Sequence, residues 1–241
     1  MRVDVAWTPA ALPGAPLDAW TVIVVDVLRA STTITTALVN GCAAIVPATD
    51  ADEARRRADA DGGALVAGER RGEPLAGFDL GNSPLEFTAA RVAGRTIVFT
   101  TSNGTRALVA VRGAAAVAVA GFVNLSAVAR WAVTAGRDVL IVCAGERGAR
   151  SLEDEVCAGH LVDHIAAQRT DASLTEAARA ARAAAAAYAG QVGRLARDAS
   201  WAVHLTSRGR ARDVEACLAV DTVDAVPVYA ADVDKVVLGP R

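Results

Sequence analysis

The chain has 241 residues, of which 53% are hydrophobic, 22% charged and only 4% aromatic, enough apolar matter for a sizeable core and too much for a disordered chain. Twenty-five Lys plus Arg against 27 Asp plus Glu leave a formal net charge of -2, which argues against a protein that coats nucleic acid or an anionic membrane. Lys235 is the only lysine, so there is no Walker A Gly-Lys-Ser/Thr loop, and a Schiff-base enzyme would have only that residue to use.

In chain order, short apolar runs predict strands at 2–6, 21–26, 43–47, 64–67, 96–100, 115–119 and 138–143. Their nearly continuous apolar character is that of strands covered on both faces. Helices are expected between them at 31–40, 50–60, 84–92, 104–112 and 124–135. This alternation implies an α/β fold, a mostly parallel sheet flanked by helices. Ser83-Pro84-Leu85-Glu86 reads as a capping box, Ser151 as the cap of a helix with Glu153 and Asp154 in its first turn, and Asn124 as a further cap. From 152 to about 220 the pattern becomes helical and Ala-rich, with one helix expected over 176–190. Two β-branched runs, 224–229 and 233–238, are expected to close the chain as edge strands. With no repeat and no disordered linker, residues 1–241 read as a single domain: strand and helix alternation over 1–150, then a mainly helical layer over 151–241.

Four separated cysteines (Cys42, Cys143, Cys157 and Cys217) form no CxxC pair, so reduced thiols are expected rather than a disulfide framework or structural zinc. The first residues, MRVDVAWTPA, lack the apolar stretch of a signal peptide, and the expected setting is cytoplasmic. No membrane or nucleic-acid partner is expected, and a homodimer is an open option.

Ligands of open parallel sheets bind beyond the carboxyl ends of the strands. There this chain gathers small residues, hydroxyls, carboxylates and arginines: Asp26, Arg29, Ser31 and Thr32; Glu69 and Arg70; Asn82 and Ser83; Thr101 through Arg106; Cys143 and Arg147; Glu153 and Asp154. Backbone N–H groups and hydroxyls suit phosphate oxygens, arginine forks suit anions, and carboxylates suit a hard cation. His160 and His164 stand four apart but lack HExxH and a clear third ligand, and His204 is isolated, so neither zinc nor a Ser-His-Asp triad has support.

Taken in order, VVDVLRASTTI (24–34), GERRG (68–72), GFDLGNSPLEF (77–87), TTSNGTRAL (100–108), GFVNLSAVA (121–129), VCAGERG (142–148), LEDEVCAG (152–159) and DVEACLAVDTVDAVPV (213–228) resemble the 2-phosphosulfolactate phosphatase (ComB-like) family. The resemblance implies the α/β fold of that family, Mg²⁺ as cofactor, and hydrolysis of 2-phosphosulfolactate to sulfolactate and phosphate, a step towards coenzyme M. The ligand is thus a small phosphorylated, sulfonated or carboxylated acid. One departure is a shortened stretch between Ser207 and Asp213. On this reading Asp26, Glu153 and Asp154 hold Mg²⁺, with Glu69 a further candidate. Arg29, Arg70, Arg106 and Arg147 meet the anionic substrate, and Thr101, Ser102, Asn103, Gly104 and Thr105 bind phosphate. The attacking group is a water, Asp26 or Cys143, in that order. The alternatives are a phosphatase of another small 2-phospho-acid and a non-catalytic anion-binding relative.

Overall fold

A computed structural model describes residues 1–14 and 16–239. The first half alternates as its apolar runs require: β1 (Arg2–Ala6), β2 (Trp20–Val25), α1 (Ala30–Val39), β3 (Ala44–Pro47), α2 (Ala51–Ala60), β4 (Leu65–Arg70), β5 (Glu73–Pro74), α3 (Ala89–Val92), β6 (Thr96–Thr100), α4 (Gly104–Ala110), β7 (Ala116–Ala120), α5 (Leu125–Ala135) and β8 (Asp138–Cys143). The remainder holds α6 (Leu152–Gln168), β9 (Ser173–Leu174), α7 (Glu176–Ala186), α8 (Leu195–Asp198), α9 (Ser200–Ser207), α10 (Ala211–Cys217), β10 (Pro227–Ala230) and β11 (Lys235–Leu238). The Ala-rich helix thus stops four residues short of its expected end at 190. No helix among the described residues is long and apolar enough to cross a membrane.

The strands form one large, mostly parallel sheet in the order β5-β4-β6-β3-β11-β10-β7-β2-β8-β1-β9. Successive side chains of a strand face opposite sides, and β2 demonstrates why it is apolar throughout. Ile23 and Val25 join the core beneath α5 and α6, while Val22 and Val24 join the core beneath α1 and α4. A smaller cluster packs Ala54 and Ala58 of α2 against Val46 and Val98.

The closing strands are not edge strands. They form a hairpin in the middle of the sheet, where β11 pairs antiparallel with β3 through Val236↔Ile45 and β10 antiparallel with β7 through Val228↔Ala118. Each accepts a partner on both sides, and the two-residue strands β5 and β9 hold the edges instead. Following the pairing senses, β3, β6 and β4 run opposite to β7, β2 and β8. In a flat sheet their carboxyl ends would lie on opposite edges. A twist of roughly 20–25° per strand turns direction by roughly 100–125° over the five steps from β2 to β6. That twist brings both sets of carboxyl ends towards one pocket, so the site lies between two opposed parallel blocks rather than along a single rim.

The Ser83–Glu86 capping box does not form. Ser83 Oγ donates to Asp213 Oδ1 at 2.7 Å and Glu86 accepts from the Gly81 N–H, which leaves a 3₁₀ turn at Pro84–Glu86 and then the short α3 where one helix was expected. Asn124 does not cap α5 either: its Oδ1 accepts from the Gly121 N–H and its Nδ2 donates to the Val119 and Ala225 carbonyls. Ser151 does cap α6, accepting from the Asp154 N–H at 3.5 Å.

Candidate active site

Loops after β2, β4, β6 and β8 and the first turn of α6 enclose a pocket of about 490 Å³. Asp26 ends β2 because its carboxylate turns the chain: Oδ1 accepts from the Ala30 N–H at 3.3 Å, and Ser31 Oγ accepts from the Asp26 N–H at 2.9 Å. Asp154, in the first turn of α6, joins two of these loops. Its Oδ1 accepts from the Val27 N–H at 2.9 Å and its Oδ2 from the Gly145 N–H at 3.0 Å. Glu69 does the same on the opposite block, taking the Ser102 N–H on Oε1 and the Gly72 N–H on Oε2, both at 2.7 Å. Glu153 completes a set of four buried carboxylates on the pocket wall.

None of these four pairs with a cationic side chain among the described residues. Burial is the largest influence on three of them. Asp26 is pushed up to about 7, first by desolvation and then by the charges of Glu69 and Glu153, against the pull of the Ala30 and Gly104 amides. Asp154 is raised well above the usual carboxylate range by burial, Asp26 and Glu153, and Glu153 is raised chiefly by burial.

This donor set fits a hard divalent cation in kind: anionic oxygen, buried and uncompensated. Among the described residues no three His, Cys, Asp or Glu side chains close into a ready ligand group. Mg²⁺ does not demand one, since it usually keeps several waters and takes one or two carboxylates together with substrate phosphate.

Cations and small polar groups line the same pocket. Arg29, Arg106, Arg147, Asn82, Ser102 and Asn103 line the pocket as expected. Arg71 also lines it, and neither Arg71 nor Arg106 has a carboxylate within ion-pair distance among the described residues.

Several expected residues lie elsewhere. Arg70 points away from the pocket, donating to the Glu69 and Thr49 carbonyls and to Thr100 Oγ1. Its neighbour Arg71 has a φ of 55°, which separates the directions of the two side chains and turns Arg71 into the pocket. The Thr101 and Thr105 hydroxyls are spent on each other's backbone N–H groups at 3.1 and 3.0 Å, so they shape the turn into α4 rather than the pocket wall. Ser31 and Thr32 are buried within α1, and Ser83 is tied to Asp213. Gly104 serves by closeness: a Cβ there would stand 2.5 Å from Asp26 Oδ2.

Cys143 is fully buried in the core under α5 and α6, off the pocket wall, and burial with the nearby Asp154 charge raises its thiol well above the usual range. A thiol so held stays protonated, which counts against it as the nucleophile.

Sequence reasoning missed Arg71, Glu146 and Trp201 on the wall, and Asp213 behind it. Arg71, Glu146 and Asp213 sat inside quoted strings and carried a signal, whereas Trp201 did not. Trp201 and Asp213 come from the helical layer, to which the strand-end rule does not apply.

The pattern of the 2-phosphosulpholactate phosphatase family matches residues 7–232. A probable 2-phosphosulfolactate phosphatase of Thermotoga petrophila is 39% identical over 225 residues, covering 93% of this chain and 94% of the relative. One from Caldanaerobacter subterraneus is 38% identical over 209 residues, 86% of each chain, and one from Clostridium botulinum is 31% identical over 239 residues, 98% of this chain and 99% of the relative. Similarity of this extent spans the whole of the pocket-forming chain, from the loop after β2 to α10, and the chain therefore belongs to the 2-phosphosulfolactate phosphatase family.

Proposed function

We propose that this chain is a Mg²⁺-dependent phosphatase that hydrolyses 2-phosphosulfolactate to sulfolactate and inorganic phosphate. The observation that carries the reading is one pocket lined both by buried carboxylates without cationic partners and by arginines, of which Arg71 and Arg106 have no carboxylate partner among the described residues. A substrate with phosphate, sulfonate and carboxylate groups offers charge for several arginine forks at once.

Asp26, Glu153 and Asp154 would hold the ion, which supplies charge neutralisation at the phosphoryl oxygens and polarises water for attack. Glu69, whose two oxygens accept backbone N–H groups as those of Asp154 do, is a further candidate. Arg29, Arg71, Arg106 and Arg147 would bind and orient the anionic groups and stabilise charge on the transferring phosphoryl group.

Water is the first candidate for the attacking group. The placement of Asp26 supports a second reading, in which its carboxylate attacks phosphorus. It sits at a strand end, with one long hydrogen bond on Oδ1. The P–O bond to the substrate then breaks, the departing alkoxide takes a proton, and water releases phosphate from the acyl phosphate.

Phosphate release from a panel of 2-phospho-acids, with Mg²⁺ and with EDTA, tests the function. Metal-dependent release with 2-phosphosulfolactate preferred supports it; a preference for another 2-phospho-acid reassigns the substrate, and binding without release makes the chain an anion-binding relative. The stereochemistry at phosphorus separates the two routes, because attack by Asp26 followed by attack of water on the aspartyl phosphate inverts phosphorus twice, with net retention, and direct attack by water inverts it once.

A further inference from the structure

Asp213 is a buried carboxylate that does not line the pocket yet touches a residue that does. It lies in the first turn of α10. Its Oδ2 accepts from Arg29 Nη1 at 2.6 Å, and its Oδ1 accepts from Ser83 Oγ at 2.7 Å. Arg29 Nη2 donates to the Gly72 carbonyl at 2.9 Å. A guanidinium has five N–H groups on one rigid plane. Asp213 and Gly72 take one from each terminal nitrogen, which fixes the plane and leaves the other N–H groups uncommitted to them. Arg29 is only 2% exposed and still lines the pocket, so it has no freedom to find a ligand by moving.

The helical layer that carries Asp213 meets the site twice more. Trp201 of α9 lines the pocket, and a Cβ on Gly72, whose φ is +85°, would meet its ring at 3.4 Å. Arg210, three residues before Asp213, donates to Glu73 Oε2 at 3.0 Å. The stretch before Asp213 is the turn between α9 (ending at Ser207) and α10 (starting at Ala211).

We infer that Asp213 is a positioning residue for the phosphatase reaction: it holds Arg29 in the orientation in which the free N–H groups meet an anionic group of the substrate, and so makes α10 part of the active site. The inference rests on the reading of Arg29 as a substrate ligand. A residue serving only the fold would change stability and leave the KM of the folded enzyme alone.

The test is a double-mutant cycle on Mg²⁺-supported phosphate release from 2-phosphosulfolactate, with thermal unfolding recorded in parallel. Asp213→Asn is expected to raise KM about tenfold with a smaller change in kcat, as misorientation of a binding group does. Arg29→Gln is expected to cost more. In Arg29→Gln the further change Asp213→Asn is expected to add nothing, because both act through one group. Losses that add, or an unchanged KM in Asp213→Asn, overturn the inference. Should Asp213→Asn fail to fold, Ser83→Ala takes its place, since it removes only the second hold on Asp213. A KM rise of about threefold that vanishes in Arg29→Gln upholds the inference, and an unchanged KM overturns it. If the parent enzyme releases no phosphate from this compound, the substrate reading fails by itself. The same cycle is then run on calorimetric binding of inorganic phosphate, where an effect of Asp213 that requires Arg29 upholds the inference and one that does not overturns it.

Discussion

Gly104 lies directly on the Asp26 carboxylate: a Cβ there would stand 2.5 Å from Asp26 Oδ2 and 2.7 Å from the Ala30 Cβ. Gly104 is the first residue of α4, where alanine suits the backbone better than glycine. Gly104→Ala is therefore expected to keep the helix and displace the carboxylate. Phosphate release should fall by about 100-fold with little change in the circular dichroism spectrum. Normal turnover in this variant would remove Asp26 from the reaction.

The carboxyl of Asp26 also makes stability depend on pH. It ionises at about 7 in the fold against 3.8 for a free side chain. Across that window the folded chain binds more protons than the unfolded one, so stability falls as pH rises from about 4 to about 7. The difference corresponds to about 4 kcal/mol above pH 7. In metal-free protein, Asp26→Asn is expected to raise Tm at pH 8 by about 8–16 °C and to leave Tm at pH 4 nearly unchanged. Mg²⁺ is expected to raise Tm of the parent chain at pH 8 more than at pH 5, because it binds the ionised form. Scanning calorimetry at the three pH values, with Mg²⁺ and with EDTA, measures both.

Adjacent arginines should behave differently. Arg71 lines the pocket without an ion-pair partner, and its loss is expected to raise KM about tenfold. Arg70 braces Thr49, Glu69 and Thr100. Arg70→Ala is expected to lower stability by about 1–2 kcal/mol with a smaller effect on KM. Steady-state kinetics and urea unfolding of both variants decide the matter.

Thiol chemistry should be dispensable. All four cysteines are buried, and Cys143 lies off the pocket wall. Cys143→Ala is expected to retain turnover within a few-fold and to lose about 1–2 kcal/mol of stability from the vacated volume. Alkylation of the native enzyme with iodoacetamide is expected to leave activity intact. Loss of activity in the variant with its fold preserved would return the thiol to the mechanism.

Much of the fold was legible because its rules are local. Apolar runs such as 138–143 had to be covered on both faces, and β8 is. The polar strings after the strands did converge: Asp26, Asn103 and Asp154 share one pocket although they lie far apart in the chain. Misreadings arose where a local signal met a distant partner. The hydroxyl of Ser83 had a capping role available and took Asp213 instead, 130 residues away. In the Arg70-Arg71 pair the residue types are identical, and the positive backbone φ of Arg71 and the hydrogen bonds that hold Arg70 accompany the difference in which one lines the pocket.

By itself the chain's order of residues determined its alternating elements, its mostly parallel sheet, its family and the four loops that build the pocket, because periodicity, turn chemistry and motif are properties of neighbours. Tertiary structure decided that β10 and β11 enter the middle of the sheet, that two opposed blocks face one cavity, and that Arg29 is held by a carboxylate 184 residues away. Those outcomes depend on which distant hydrogen-bonding groups find one another once water is excluded, and unpaired buried groups are too costly for the choice to be left to local preference.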